Sequence, residues 1–264
     1  MPEQAEELAS ALIAQRKHVS YCCLEAPAGH DAFLTHITDL SLLIRAFLPW
    51  VSVTENIPRS VSAPDNRVNE YNAILEEVPE GCRVLDLGCG NGILLDVMKE
   101  QRNVQGMGVD ISVHAVAQTL DHGHDVLLED INDGLAIVPD DTFDVAILSE
   151  TLQVMQQPRE TIKDILRVAR EATVVFPNFG SMNVRLKLLL RGRMPKNRQL
   201  PYEWYDTPNI HLFTLRDFLD LCKQDKIRVK KVRCFCDSIW SRLLVAIGLR
   251  NLGADRVLVH VERA

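Results

Sequence analysis

From residue 67 onward, short apolar runs alternate with stretches of helical period. Seven runs have the length of a strand: RVLDLG, VQGMGVD, HDVLLED, FDVAILS, EATVVFP, IRVKKVRCF and RVLVHVE. Between them we predict helices that begin near Asn91, Ser112 and Glu160, with Ser112 as a plausible N-cap. Strands that alternate with helices indicate an α/β fold with a doubly wound, mostly parallel, seven-stranded sheet and an antiparallel member near its end.

The first 66 residues have a different organisation. We predict a helix over about residues 3 to 15, a strand at VSYCCLEA and a second helix through FLTHITDLSLLIRAFL. One strand and two helices cannot close a core of their own. Residues 49 to 66 hold three prolines and no sustained apolar period, which is typical of a linker. The sequence therefore predicts three parts: residues 1–48, the linker 49–66 and a larger domain over 67–264.

The composition limits the classes of partner. The 264 residues are 47% hydrophobic and carry a formal net charge of −7, so no basic field attracts nucleic acid or anionic lipid. Small molecules or proteins are the partners that we expect. The seven cysteines lack a C-x-x-C or disulfide-framework spacing, and we predict no metal site. The acidic start and the lack of a long apolar run favour a cytoplasmic protein.

The stretch VLDLGCGNGILLDVM has the form of a strand, a glycine loop and a helix start. Gly88, Gly90 and Gly92 have G-x-G-x-G spacing, and Asp86 lies near the end of the strand. Glycines at these positions let the backbone turn sharply and approach a ligand closely. A dinucleotide site would need G-x-G-x-x-G, but Ile93 occupies the last position. The loop therefore favours a nucleoside ligand without a pyrophosphate, although by itself it is also compatible with a plain tight turn.

Two further carboxylates follow neighbouring predicted strands. Asp110 ends the second strand of the domain, where it can accept hydrogen bonds from both hydroxyls of a ribose. Asp130 ends the third, where it suits an exocyclic amine of a purine. Carboxyl ends of parallel strands meet at one edge of a sheet, and open α/β sheets bind ligands there. We therefore expect Asp86, Asp110 and Asp130 to line one site.

This ordered set, followed by PDDTFDVAILS, resembles the class I S-adenosylmethionine-dependent methyltransferases over residues 67–177. The resemblance implies a Rossmann-like fold and S-adenosylmethionine as the cofactor. It implies that Asp86 and the three glycines hold the methionine end, that Asp110 holds the ribose and that Asp130 holds the adenine. It also places Ile111, Ile131 and Ser149 among the cofactor-binding residues.

The insertion over residues 176–214 has two unlike halves. The first combines a leucine stripe with six cations and no acid: Arg185, Lys187, Arg191, Arg193, Lys196 and Arg198. It is either the solvated face of an amphipathic helix or a docking surface for an acidic partner or an acyl-CoA-type anion. The second half groups Tyr202, Trp204 and Tyr205, which either pack on the sheet edge or line a pocket. His211 is a candidate general base near a methyl acceptor, or a structural histidine.

These segments carry a closer resemblance. VLDLGCGNG, LSETLQ, FPNFG, RLKLLLRGRMP and LPYEWYDTPNIHLFT together resemble the MetW family of methionine-biosynthesis proteins from about residue 65 to the C-terminus. The sequence departs from that family's pattern at Glu150 and at Ser181-Met182. The resemblance implies a methyltransferase-like cofactor fold and a homoserine O-acyltransferase of the MetX type as the partner. It does not imply that a methyl group is transferred.

Residues 2–48, which include PAGHDAFL, resemble the extreme C-terminus of the homoserine O-acetyltransferases, the MetX family of α/β-hydrolases. The resemblance makes His30 the histidine of a catalytic triad. That triad needs a G-x-S-x-G serine and an acid earlier in the chain, and the sequence contains no G-x-S-x-G. We therefore expect no acyltransferase activity from this chain alone. A strand with open edges and an apolar helix that lack the rest of their sheet should be poorly ordered or prone to aggregate. A longer acyltransferase-MetW fusion is the preferred origin of the segment, and a remnant of gene fission is the other.

Two functions remain open at this point. The first is a MetW-type methionine-biosynthesis protein that binds S-adenosylmethionine and acts with a homoserine O-acyltransferase. The second is an S-adenosylmethionine-dependent methyltransferase with an unidentified small-molecule acceptor. Because the cofactor's methyl group is already activated, positioning alone can catalyse such a transfer, so the lack of an obvious base does not decide between them.

Overall fold

The computed structural model describes residues 2–24, 37–48, 68–196 and 202–264. Its α-helices are α1 (Pro2–Ala14), α2 (Ile37–Phe47), α3 (Val68–Glu77), α4 (Ile93–Arg102), α5 (Val113–Asp121), α6 (Pro158–Val168), α7 (Met182–Arg191), α8 (Leu215–Gln224), α9 (Ile239–Ala246) and α10 (Arg250–Gly253). Its strands are β1 (Tyr21–Cys22), β2 (Arg83–Leu87), β3 (Gln105–Asp110), β4 (Asp125–Leu128), β5 (Phe143–Ser149), β6 (Ala169–Pro177), β7 (Arg228–Phe235) and β8 (Arg256–Glu262).

The predicted α/β class is confirmed. All seven predicted strands form, as β2 to β8, and the order in the sheet is β1-β4-β3-β2-β5-β6-β8-β7. The pairs β4-β3 and β3-β2 are parallel, whereas β6-β8 and β8-β7 are antiparallel, as predicted near the C-terminus. The sheet in the described part of the chain has eight strands and not seven, because β1 is added at its edge.

The chain divides into two compact units, and the first comprises residues 1–147 and 167–169. Its parallel strands are rich in apolar residues without alternation, and Leu85, Val109 and Leu127 are fully buried. Such strands are typical of a parallel sheet that is covered on both faces. Ser112 caps α5 as predicted, since its Oγ accepts a hydrogen bond from the Ala115 N–H at 3.4 Å.

The amino-terminal segment is part of this first unit. Strand β1 pairs in parallel with β4, with Tyr21 opposite Leu127, and the Val126 N–H donates to Ser20 Oγ at 3.1 Å. Helix α2 packs against α5. The expectation of an unpaired strand with open edges is therefore wrong, because β4 supplies a partner on one side. His30 and the linker 49–66 lie outside the described residues, so the triad-like role of His30 stays a prediction.

The second unit comprises residues 148–166 and 170–264. It contains an aromatic cluster, in which the ring centroid of Phe176 in β6 lies 4.7 Å from that of Phe213 and 5.1 Å from that of Phe218. The buried Asn178 amide donates to the carbonyls of Asn251 and Ala254, at 2.9 and 2.8 Å. These contacts tie the end of β6 to the segment that precedes β8.

The insertion lies in the second unit. Helix α7 exposes Leu189 and Leu190, which are 80% and 77% accessible, so its stripe is not buried among the described residues. Trp204 and Tyr205 are also exposed and contact each other edge to face at 5.6 Å. The expectation that these two rings pack on the sheet edge is not met. No helix in the described ranges is long and apolar enough to cross a membrane.

Candidate cofactor site

The glycine loop connects β2 to α4 through three left-handed backbone conformations. Gly88, Gly90 and Gly92 have φ values of 76°, 56° and 79°, a region that disfavours residues with a Cβ atom. The N–H groups of Gly88 and Cys89 both donate to the Val109 carbonyl, at 2.8 and 3.2 Å. The sharp turn that the G-x-G-x-G spacing predicted is present, and these two bonds hold the loop against the end of β3.

Gly90 and Gly92 serve different purposes. A Cβ atom built on Gly90 meets no heavy atom within 4 Å, so that position faces open space. A Cβ atom on Gly92 would lie 3.1 Å from Thr119 Oγ1, because the loop packs closely against α5 there. The lack of a side chain at Gly92 thus permits close packing of the loop against α5. The lack of a side chain at Gly90 leaves open space beside the loop.

Thr119 is a residue of the site that the sequence reasoning missed. It is fully buried, and its Oγ1 donates to the Gly90 carbonyl at 3.0 Å. The hydroxyl therefore fixes the middle of the glycine loop from beneath. A single threonine on an amphipathic helix carries no sequence signal for this role, because its partner is known only once α5 is placed against the loop.

Alanine substitutions at Gly90 and Gly92 should separate an effect on stability from an effect on ligand binding. We expect Gly92→Ala to lower the free energy of unfolding by about 1 to 3 kcal/mol, through positive φ and the contact with Thr119. Gly90→Ala should cost about 1 kcal/mol through φ alone, but should weaken S-adenosylmethionine binding more than tenfold, because its methyl group enters the open space. Chemical unfolding and calorimetric titration measure the two effects.

The matched control is Gly192→Ala at the end of α7. Gly192 has φ 58°, and a Cβ atom added there would also meet no heavy atom within 4 Å, so it carries the same backbone strain without the glycine loop. Unchanged cofactor affinity in Gly90→Ala would show that the open space at Gly90 is not part of the binding site.

Asp110 connects the loop to the end of β3. Its carboxylate accepts hydrogen bonds from the N–H groups of Gly90 and Ser112, both at 2.9 Å. Each carboxylate oxygen has a second lone pair, so acceptor capacity remains for a ligand. Ile111, the next residue, is 66% exposed and offers an apolar surface beside that carboxylate.

Asp86 is a buried carboxylate in the same part of the first unit. It is 2% exposed, and no hydrogen bond to its side chain is found among the described residues. Burial, with a smaller contribution from the charge of Asp110, raises the pKa of Asp86 to about 7. An isolated buried carboxylate is costly, and a cation placed against it would favour its ionised form. Asp86 is thus a buried carboxylate whose ionised form a bound cation would stabilise.

Asp130 has a local structural role that the sequence reasoning did not foresee. Its Oδ1 accepts hydrogen bonds from the backbone N–H and the side-chain amide of Asn132, both at 2.9 Å. It thereby caps the short 3₁₀ helix Ile131–Asp133, and Ile131 is buried. A contact between Asp130 and an adenine stays a prediction, as does the role of Ile131.

Two of the predicted site residues belong to the second unit. Ser149 ends β5, and its carbonyl accepts a hydrogen bond from Thr151 Oγ1 at 3.1 Å. His211 Nε2 lies 3.4 Å from the Gln156 carbonyl, and the His211 N–H donates to the Gln153 carbonyl at 3.0 Å. Main-chain groups therefore hold His211 in place. The cofactor role of Ser149 and the catalytic role of His211 stay predictions.

Glu150 marks a strained position that the sequence reasoning missed. Its φ of 55° is unusual for a residue with a side chain, and its N–H donates to the Val175 carbonyl at 2.8 Å. Strained residues often cluster at functional loops. Nothing in the local sequence signals the strain, since glutamate has no preference for this conformation.

Comparison with known proteins agrees with this geometry. In solved structures, a crystal structure of an S-adenosylmethionine-dependent methyltransferase from Mesorhizobium loti superposes with a TM-score of 0.57 and 19% identity, over 75% of this chain and 99% of that chain. At this identity the likeness shows the fold alone. The methyltransferase-like α/β fold is thereby confirmed.

Curated relatives match different lengths of the chain. The bifunctional methionine biosynthesis protein MetXA/MetW of Rhodopirellula baltica is 34% identical over 99% of this chain and 43% of its own length. A homoserine O-succinyltransferase of a Marinomonas species is 43% identical over 51 residues, 19% of this chain and 13% of its own length. The chain thus spans less than half the length of either relative.

The model of one protein family matches most of the chain. It is described as methionine biosynthesis protein MetW, and it matches residues 68–257, which include the glycine loop, the acids of the site and the insertion. Together with the relative that matches along almost the full chain, this match confirms the resemblance that the motifs indicated: the chain belongs to the MetW family of methionine-biosynthesis proteins.

Proposed function

We propose that this protein binds S-adenosylmethionine and supports homoserine O-acylation in the cytoplasm by associating with a homoserine O-acyltransferase. The observation that carries the proposal is the buried Asp86 carboxylate, to which the described residues donate no hydrogen bond, beneath a glycine loop with open space at Gly90. Membership of the MetW family indicates that the pathway is methionine biosynthesis.

The chemistry of the first unit fits the cofactor. S-adenosylmethionine carries an ammonium and a sulfonium, and when bound it supplies an activated methyl group. Asp86 would hold the cationic methionine end, since a positive charge offsets the cost of burying this carboxylate. Asp110 would accept hydrogen bonds from the ribose hydroxyls with its remaining lone pairs. Ile111 would offer an apolar contact to the adenine.

Association with an acyltransferase is supported by two of the relatives. The Rhodopirellula baltica protein has a name that joins MetXA and MetW in one chain. The short match to a homoserine O-succinyltransferase agrees with the resemblance of residues 2–48 to MetX proteins. Because the sequence contains no G-x-S-x-G serine motif, acylation itself would be performed by the partner.

The test measures the homoserine acylation rate of the matching acyltransferase with and without this protein, at fixed acyl-CoA and at zero or saturating S-adenosylmethionine. We expect a rate change of about twofold or more that depends on the cofactor, which corresponds to a coupling free energy on the order of 0.5 to 1 kcal/mol. The Gly90→Ala variant serves as the cofactor-deficient control. Acylation of homoserine by this protein without the partner would contradict the proposal that the partner performs the acylation.

The second candidate is a methyltransferase, which is favoured by the likeness of the fold to a structure that bears that description. The same assay distinguishes the two functions when S-adenosylhomocysteine is quantified in parallel with small-molecule extracts as acceptors. An unchanged acylation rate with steady production of S-adenosylhomocysteine would favour the methyltransferase. A changed rate without such production would favour the supporting role.

A further inference from the structure

A concave site lies in the first unit, away from the glycine loop. It is a cleft of about 350 Å³, and its lining includes Arg83, Gln105 and Asp125, which are the first residues of β2, β3 and β4. The candidate cofactor residues Asp86 and Asp110 lie towards the carboxyl ends of the same strands. The cleft therefore lies at the amino ends of these strands, whereas the candidate cofactor site lies at their carboxyl ends.

The lining of this cleft is strongly cationic in a protein of net charge −7. Four permanent cations line it, against the single carboxylate of Asp125: Arg16, Lys17, Arg83 and Lys99. Arg16, Lys17 and Lys99 form no ion pair within the described part of the chain, and Asp125 is already engaged by His18 Nδ1 at 2.9 Å. The cleft thus holds a surplus of positive charge that no carboxylate on its walls neutralises.

The guanidinium of Arg83, one of these four cations, is held in place by neighbouring groups. Its guanidinium donates to the carbonyl of Thr142 at 2.6 Å and lies 4.9 Å from the centroid of the Phe143 ring. Burial, followed by the positive charge of Arg16, lowers the pKa of Arg83. Two guanidiniums that repel each other at one cleft are typical of a site that binds an anion between them.

Arg16 is held at the cleft by a strained backbone. The Arg16 N–H donates to the Ile13 carbonyl and the Lys17 N–H donates to the Leu12 carbonyl, both at 3.0 Å, which is the hydrogen-bond pattern of a Schellman motif at the end of α1. The left-handed position of this motif favours glycine, yet Arg16 occupies it with φ 57°. An arginine at this position costs backbone strain that a glycine would avoid. A ligand-binding role for the Arg16 side chain would explain why the sequence has an arginine there.

We propose that this cleft binds a small phosphorylated anion with at least two phosphate groups. Guanidinium and ammonium groups are the donors that phosphate oxygens prefer, and four cations match the charge of a diphosphate better than that of a single carboxylate. A cleft of this size accommodates a diphosphate together with part of an attached group. Free pyrophosphate and the phosphorylated nucleotide portion of coenzyme A share this chemistry.

The experiment titrates the full chain by calorimetry with inorganic pyrophosphate and, in a separate arm, with coenzyme A. We expect saturable binding of pyrophosphate, and tighter binding of coenzyme A only if the attached nucleoside is also recognised. Arg16→Gly and Lys99→Gln should each weaken binding about tenfold, the equivalent of one charge-assisted hydrogen bond. Saturating S-adenosylhomocysteine should leave the affinity unchanged, because the glycine loop lies at the other edge of the sheet.

Lys226→Gly is the matched control for Arg16→Gly. Lys226 also has a positive φ, 58°, and it is not among the residues that line the cleft, so its replacement by glycine removes a cation and backbone strain elsewhere. Both glycine variants should fold at least as stably as the parent, which keeps the binding comparison valid. Absence of saturable binding to either ligand, or equal weakening by Arg16→Gly and Lys226→Gly, would overturn the proposal.

Discussion

Asp86→Asn is expected to stabilise the protein at pH 8 by up to about 4 kcal/mol and to weaken the binding of S-adenosylmethionine. Asp86 keeps its proton in the folded state up to about pH 7, whereas its ordinary pKa is 3.8. Folding therefore binds a proton between these values, and the contribution of Asp86 to stability falls as the pH rises through this window. The neutral asparagine avoids that loss.

Chemical unfolding of both proteins between pH 5 and pH 8 measures the effect. The advantage of the variant should grow by about 1.4 kcal/mol per pH unit up to pH 7 and then level off. Asp121→Asn, at an exposed helix end, is the matched substitution of an aspartate on the surface. If the extra stability of Asp86→Asn did not depend on pH, the ionisation of the buried Asp86 carboxylate would not be the cause of that extra stability.

The second large effect is expected for Asp110→Ala. This change leaves the N–H groups of Gly90 and Ser112 without their carboxylate acceptor and removes the proposed ribose contact. We expect the free energy of unfolding to fall by about 2 to 4 kcal/mol, and the affinity for S-adenosylmethionine to fall more than tenfold. Urea unfolding and calorimetric titration report the two quantities separately.

Asp110→Asn is the control for this prediction. Its side-chain oxygen can still accept from one of the two N–H groups, so it should retain more stability than alanine while it loses the charge. If cofactor affinity were unchanged in a folded Asp110→Ala protein, Asp110 would be a structural residue of the loop only.

Local patterns predicted much of this fold. The seven strands from β2 to β8 follow from apolar runs of strand length, and the cap at Ser112 follows from residue type and position. The G-x-G-x-G spacing predicted a sharp turn, because left-handed backbone conformations select glycine. Asp86 and Asp110 could be assigned to one edge since both lie near the carboxyl ends of parallel strands.

Contacts between distant segments could not be predicted in the same way. The bond from Thr119 to the Gly90 carbonyl depends on how α5 packs, and neither residue type indicates it. The cap that Asp130 forms with Asn132 competes with its expected ligand role, because short acidic side chains readily bond to the backbone two residues on. The cationic cleft unites residues from the end of α1, from β2 and from α4, and none of these segments is strongly basic by itself.

The position of β1 has a consequence for the order of folding. Ser20 and Val126, whose contact joins β1 to β4, are separated by 106 residues. During synthesis the first strand must wait until β4 has left the ribosome before it can pair. Long-range parallel pairing of this kind is slow, and an unpaired strand is prone to aggregate in the interval. Strand β1 should therefore join the sheet after β2 and β3, although it is synthesised before them.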